Sequence, residues 1–387
     1  MRASARAEAR SGAPTVSPPR SFSAYLDHNA SAPPRPAVVA AVTEALSFHG
    51  NPSSIHQDGR GRRAALEDAR DSVAALVGAP AERVIFTSGG TEANALGLLG
   101  PGRGAIVGAT EHPCVLRADP DAKRIRVDRQ GVVDLDHLDH LLSTAPGPAV
   151  VGVMLANNET GVVQPVAEVA ALCRRHGAWF HCDAVQGIGR MAVSLEALEC
   201  DSLALSGHKL GAPAGVGALV LAPGREVTPQ LRGGGQERGR RAGSENLIGI
   251  VGLGVACAEV ATHGRDEAAR SRVLRDRLEA ALLARLPGLV IHGAGAFRLP
   301  NTSCLGVPGL AAQRVLMALD LQGIRVSAGS ACSSGSLGPS PVILAMGGDE
   351  TAARESVRIS LGWSSVDDDV DRFLEVYGVL AARTMGL

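Results

Sequence analysis

Aromatic residues make up only 3% of this 387-residue chain, which leaves little surface for base stacking and argues against single-stranded nucleic acid as a partner. Positive and negative side chains nearly cancel, giving a formal net charge of −1, so there is no electrostatic footprint for nucleic acid or an anionic membrane. The seven cysteines include no Cys-x-x-Cys pair that would suggest zinc. Their odd number and irregular spacing argue against a disulfide framework and for a reducing compartment such as the cytoplasm. The longest nearly uninterrupted apolar stretch, Leu247 to Ala258, is too short to cross a bilayer and is diluted by glycine. These shortages describe a soluble protein with neither nucleic acid nor a membrane as partner.

What is present is an ordinary globular composition, 45% hydrophobic and 20% charged, with 47 glycines where average usage would supply roughly 27. That excess implies many tight turns and close backbone approaches. The length exceeds what one hydrophobic core supports, so two domains are expected. Residues 1–23 are rich in Ala, Arg, Ser and Pro, with Glu8 the single acid. They read as a disordered tail, although an Arg-rich, acid-poor segment also fits an organellar transit peptide.

Short apolar runs alternate with helical patterns over the first two thirds of the chain. Val84 to Thr87, Ala105 to Gly108, Val150 to Leu155, Ala178 to Cys182, Ser202 to Leu205 and Gly217 to Leu221 read as buried strands, with helices such as Arg62 to Val77 and Val166 to His176 between them. The alternation predicts an α/β protein whose large domain, residues 24–263, holds a mostly parallel, helix-flanked sheet. Gly233 to Gly243 reads as a glycine-rich linker. A long amphipathic helix from Arg265 to Leu286 then opens a smaller α+β domain, residues 264–387, which the first residues after the tail can join.

Two pieces near the middle carry the chemistry. The run Ala178-Trp179-Phe180-His181-Cys182 ends in Asp183, and Ser206-Gly207-His208-Lys209 follows after room for one further strand. An acid at the carboxyl end of a buried strand can keep a pyridine nitrogen protonated, and a lysine beside serine and histidine can form an imine next to a phosphate. A third segment, Ser88-Gly89-Gly90-Thr91-Glu92-Ala93-Asn94, stands between a strand and a helix. There, glycines permit close approach and a helix N-terminus offers unpaired N–H groups to phosphate. In open α/β sheets all three fall in one crevice beyond the strand ends. Together they point to pyridoxal 5′-phosphate (PLP).

Further strings extend the pattern: Tyr25-Leu26-Asp27-His28-Asn29-Ala30, Gly50-Asn51-Pro52-Ser53-Ser54-Ile55-His56, Thr110-Glu111-His112-Pro113, Asn157-Asn158-Glu159-Thr160-Gly161, Asp183-Ala184-Val185-Gln186, the segment Gly235 to Gly243, and Gly329-Ser330-Ala331-Cys332-Ser333-Ser334-Gly335. In this order, and over nearly everything after residue 24, the chain resembles the cysteine desulfurases of the NifS/IscS type, class V aminotransferase relatives within the fold-type I PLP enzymes.

Carried over residue by residue, the resemblance implies that Lys209 bonds the cofactor, Asp183 partners the pyridine nitrogen and Gln186 bonds the phenolic oxygen. His112 would stack on the ring and shuttle protons, and Asn158 would fix the cofactor or the substrate carboxylate. Gly90, Thr91, Ser206 and His208 would hold the phosphate, with Ser244 reaching over from a second subunit of a homodimer. Arg358 would receive the substrate α-carboxylate, a task suited to its bidentate fork. Three positions depart from the pattern: Ala95 for a second asparagine, Ser244 for a common threonine, and Trp363 beside the carboxylate site.

Cys332 decides the reaction. It stands in a loop of small residues, Ser327 to Ser340, that builds no core and can swing a thiol toward the cofactor; Cys173, Cys200 and Cys257 read as inert buried thiols. The activity implied is conversion of L-cysteine to L-alanine, with sulfur passing to Cys332 as a persulfide. From there it would go to an acceptor protein serving iron-sulfur cluster assembly, another sulfur-containing cofactor or tRNA thiolation. A selenocysteine lyase or other PLP β-lyase is the alternative within the class, and a non-catalytic sulfur-transfer scaffold the alternative outside it.

Overall fold

The computed structural model describes residues 23–329 and 338–386. Residues 1–22 of the expected tail, and Cys332 with its neighbours, lie outside the described residues.

Seven strands form the large sheet: β1 (Val84–Thr87), β2 (Gly104–Gly108), β3 (Lys123–Ile125), β4 (Ala149–Met154), β5 (Trp179–Asp183), β6 (Ser202–Ser206) and β7 (Gly217–Leu221). Their spatial order is β1-β7-β6-β5-β4-β2-β3, parallel throughout except that β7 runs antiparallel to both neighbours. The central strands β4 to β7 are buried along their whole length, which is why they read as continuous apolar runs rather than as alternating patterns. Only the edge strand β3, with exposed Lys123 and Arg124, lacked such a signal. Helix α1 (Gln57–Val77) packs against the sheet, and α2 (Gly90–Leu99) leaves the end of β1.

A second, four-stranded antiparallel sheet contains β8 (Val290–Ile291), β9 (Thr302–Gly306), β10 (Ser327–Ala328) and β11 (Ser356–Ser360), ordered β10-β11-β9-β8. Its core takes in Leu274, Leu278 and Leu282 from a long helix, Phe373 and Tyr377 from the C-terminal helix, and Ala24 and Leu26 from the start of the described chain.

Two expectations change. The helix read from Arg265 is α3, Leu247–Arg285, and it crosses position 263/264 unbroken. Its first half packs in the large core through Leu253, Ala256 and Val260, and its second half in the small one, so one helix serves both cores. Its glycines are contact points rather than breaks: a Cβ at Gly254 would lie 2.7 Å from Ala69 of α1, and one at Gly252 2.7 Å from Pro213. By length and composition α3 could span a bilayer, but 56% of its apolar window is buried within the protein. The stretch Gly233 to Gly243 is likewise no free linker. Glu237 is buried, with its carboxylate on Arg70 at 2.8 and 3.0 Å and on the Phe86 amide at 2.9 Å. Those bonds hold Glu237 and Arg238 at positive φ.

Candidate active site

Beyond the carboxyl ends of β1, β5 and β6 lies a cavity of about 260 Å³. Gly90 and Thr91 line it from the start of α2, Ser206, His208 and Lys209 from the end of β6, and Asp183 and Gln186 from the end of β5. His112 and Asn158 complete the wall from the segments after β2 and β4. Nine of the residues singled out in the sequence therefore face one space, because parallel strands deliver their following loops to the same edge of the sheet.

Asp183 forms the floor. It is 6% exposed, accepts a hydrogen bond from Asn94 Nδ2 at 2.7 Å on Oδ2 and another from the Val185 amide at 3.0 Å on Oδ1. Burial pushes its carboxyl pKa up, while the Val185 amide, His112, Asn94 and Lys209 pull it down. Lys209 Nζ donates to the Asn29 and Ala30 carbonyls, 2.7 Å each. His112 is lowered chiefly by burial, with Asp183 opposing and Lys209 adding to the effect. Burial and the charge of Lys209 bring His208 down to about 4, leaving a neutral ring near Ser31.

One end of the cavity lies at the start of α2, lined by Gly90 and Thr91. Gly89 has φ of +153°, and a Cβ on Gly90 would sit 3.0 Å from Val185 Cγ2 and 3.2 Å from Ser206 Cβ, so a side chain at either position would strain the backbone or crowd the β5 and β6 ends. Glu92 is turned away from this space: it accepts from the Ser88 amide at 2.7 Å and pairs with Arg241 at 2.8 Å, which ties the segment Gly233 to Gly243 to the helix start. Ser244 is exposed and does not line the cavity of its own chain.

Arg358, in the middle of β11, is 1% exposed and stands outside the cavity lining. Its Nη2 pairs with Asp27 at 2.8 Å, Nη1 reaches the Asn158 carbonyl at 3.3 Å, and Nε has no acceptor among the described residues. Trp363 donates its indole N–H to the Pro33 carbonyl at 3.0 Å and lies under the Arg35 guanidinium, away from the cavity.

Three residues were given no role of their own by the sequence. Asn94 supports Asp183 directly. Cys114 lines the cavity beside His112, with its thiol pushed up to about 12 by burial and the nearby Asp183. Glu159, next to Asn158, is buried against Ser340 at 2.6 Å and pushed up to about 7. A buried polar residue announces itself only through distant partners, which the local pattern does not contain.

These residues fit PLP on the structure's own terms: a buried carboxylate on the floor, an amine across from it, and a glycine-lined helix start at the far end. A model of the aminotransferase class-V family matches residues 24–373. The chain is 43% identical over 375 residues to a cysteine desulfurase of Gluconacetobacter diazotrophicus, covering 92% of this chain and 93% of that protein. Among solved structures it is similar to a NifS-like protein from Rickettsia africae, with a TM-score of 0.86 and 33% identity over 95% of this chain and all of that one. It is also similar to SspA in complex with cysteine, with a TM-score of 0.75 and 27% identity over 89% of this chain and 100% of that one.

Proposed function

The chain belongs to the class-V aminotransferase family, whose members depend on PLP, and from that premise we propose that it is a cysteine desulfurase that converts L-cysteine to L-alanine and takes the sulfur onto Cys332. One observation carries the proposal. The chain has two lysines, Lys123 and Lys209; Lys123 is exposed on the edge strand β3, whereas Lys209 lines the cavity that Asp183 floors.

When bound, the cofactor supplies an electron sink for an amino acid joined to it. Lys209 would hold it covalently, and its amine is placed to take the proton from the cysteine α-carbon. Asp183 would keep the ring nitrogen in its positive form. Gln186 would bond the phenolic oxygen, and His112 would cover the ring and carry protons. Gly90, Thr91, Ser206 and His208 would hold the phosphate. Arg358 and Asn158 take the α-carboxylate, with Asp27 giving up part of its hold on the guanidinium.

The Cys332 thiolate then attacks the substrate sulfur. The carbon–sulfur bond breaks, a sulfur–sulfur bond forms, and proton return to carbon releases alanine, so no external oxidant is required. Elimination supports Cys332 as the nucleophile. Cys114, Cys173, Cys200 and Cys257 are pushed up to about 12, and Cys182 and Cys304 are also raised, in each case chiefly by burial. These six are unpaired thiols, consistent with the cytoplasm.

The persulfide passes to an acceptor protein such as an iron-sulfur scaffold or sulfur carrier. Ser244 completes the phosphate site of a second subunit, which makes a homodimer the working unit; its exposure beside the anchored Gly233 to Gly243 segment supports that role.

The test is alanine and sulfide formation from L-cysteine with a thiol reductant. Cys332→Ser should keep the cofactor's absorbance and lose sulfide release, and Lys209→Ala should lose both. Wild-type sulfide release by Cys332→Ser would remove the nucleophile, and wild-type turnover by Lys209→Ala would remove the reading itself.

A further inference from the structure

A row of buried polar side chains runs from Asp183 into the apolar core. Trp179, His181 and Asp183 are alternate residues of β5 and so share one face of the sheet; Ser202 begins β6 and Asn94 lies on α2. Trp179 Nε1 donates to Ser202 Oγ at 3.0 Å, Ser202 Oγ meets His181 Nδ1 at 2.9 Å, His181 Nε2 meets Asn94 Oδ1 at 2.9 Å, and Asn94 Nδ2 donates to Asp183 Oδ2 at 2.7 Å. The helix is cut to admit the imidazole: a Cβ at Gly97 would come within 2.3 Å of its ring.

The direction of every proton in the row is fixed by its two ends. An indole nitrogen only donates, and a carboxylate only accepts. Asn94 turns its amide nitrogen to Asp183, so its oxygen faces His181 and requires the proton on Nε2. A neutral imidazole has one N–H, so Nδ1 accepts and the Ser202 hydroxyl donates. Burial lowers His181 to about 3, in keeping with that neutral ring. Four donors in series therefore point toward one carboxylate oxygen, an arrangement in which each bond polarises the next.

We propose that Asn94, His181, Ser202 and Trp179 form a positioning relay that keeps Asp183 ionised and aimed at the cavity, and so sets how firmly the cofactor's ring nitrogen holds its charge. The proposal rests on the reading of Asp183 as the partner of that nitrogen. A packing role alone would not require donors in register over four residues, since apolar side chains fill such a space at lower desolvation cost.

The experiment compares His181→Leu, which keeps the volume and breaks the row, with His181→Gln, whose amide donates to Asn94 while its oxygen accepts from Ser202. PLP is titrated into each apoenzyme, the apoenzyme melting temperatures are recorded, and the absorbance of the Lys209-bound chromophore is followed against pH. His181→Leu weakens PLP binding roughly tenfold or more, in line with loss of support for a charged group. It also moves the chromophore's midpoint upward, because a ring nitrogen with less positive charge does less to expel the proton on the Lys209 nitrogen. His181→Gln restores most of both. A melting temperature that falls while affinity and midpoint stay at wild-type values overturns the relay.

If His181→Leu does not fold, Ser202→Ala decides the question: weakening of roughly threefold or more with an upward midpoint supports the relay, and unchanged values overturn it. Wild-type PLP binding by Asp183→Asn would instead show that the reading of the site itself is wrong.

Discussion

Asp183 on the cavity floor and Glu159 beside its wall are both buried carboxyls, yet the chain provides for them differently. Asp183 has a side-chain donor on one oxygen, a backbone amide on the other, and the positive charge of Lys209 nearby. Glu159 has the Ser340 hydroxyl, the more distant charge of Arg358, and a pKa near 7. A third carboxyl, Glu237, is not among the cavity-lining residues and lies in a bidentate pair with Arg70. Burial raises both Asp183 and Glu159, and the donors around each oppose it to different degrees. A carboxyl supported on both oxygens is available to hold a cation, whereas one with a single hydroxyl is close to gaining a proton.

The largest test of that contrast is Asp183→Asn. It keeps the shape and removes the charge, and turnover of L-cysteine should fall at least about a hundredfold, the scale of losing a preorganised charge at the reacting group. A variant within threefold of wild type would place the essential charge elsewhere.

Arg70→Met comes next. Breaking a buried pair strands one charge and costs about 3–5 kcal/mol, so denaturant unfolding should show a loss of that order, with Glu237 left uncompensated. A change below about 1 kcal/mol would mean that water already reaches the pair.

Glu159→Gln should act in the opposite direction. The folded-state pKa is raised from 4.5 to about 7, so the folded protein binds the proton more tightly than the unfolded chain. Its stabilising contribution is full below 4.5 and is lost as pH rises to about 7. Each pKa unit is worth about 1.4 kcal/mol. Glutamine lacks this penalty, so the variant should exceed wild type by roughly 3 kcal/mol at pH 8 and match it near pH 4.5. Equal melting temperatures at both pH values would show that Glu159 is not raised.

The smallest effect belongs to Ser340→Ala. Ser340 both donates to Glu159 and caps the short helix that follows it; its loss should cost about 1 kcal/mol and push the levelling-off point of the pH profile above 7. An unchanged profile would show that the hydroxyl does not govern the Glu159 proton.

The sequence displayed some of this architecture and hid the rest for physical reasons. The six apolar runs lie within one residue of the observed strands at each end, because strands buried on both faces must be apolar whatever their partners. Lys209, Asp183 and the glycine-rich turn were legible because their chemistry needs particular residue types at strand ends. The continuity of α3 was hidden by its glycines, which dilute the apolar pattern of its first half but serve as contacts with Ala69 and Pro213. Trp179 and His181 passed as members of an apolar run, since nothing local shows that Ser202 and Asn94 complete their hydrogen bonds. Glu159 passed for part of a turn motif because Ser340, its donor, is far along the chain.

The central claim is that the Lys209 amine carries the cofactor opposite Asp183. Borohydride reduction of the holoenzyme followed by peptide mass mapping tests it directly, since reduction makes the linkage permanent and the chain offers only two lysines. The account predicts a pyridoxyl group on the Lys209 peptide in proportion to bound PLP; a label on Lys123, or tightly bound PLP with no lysine labelled, would contradict it.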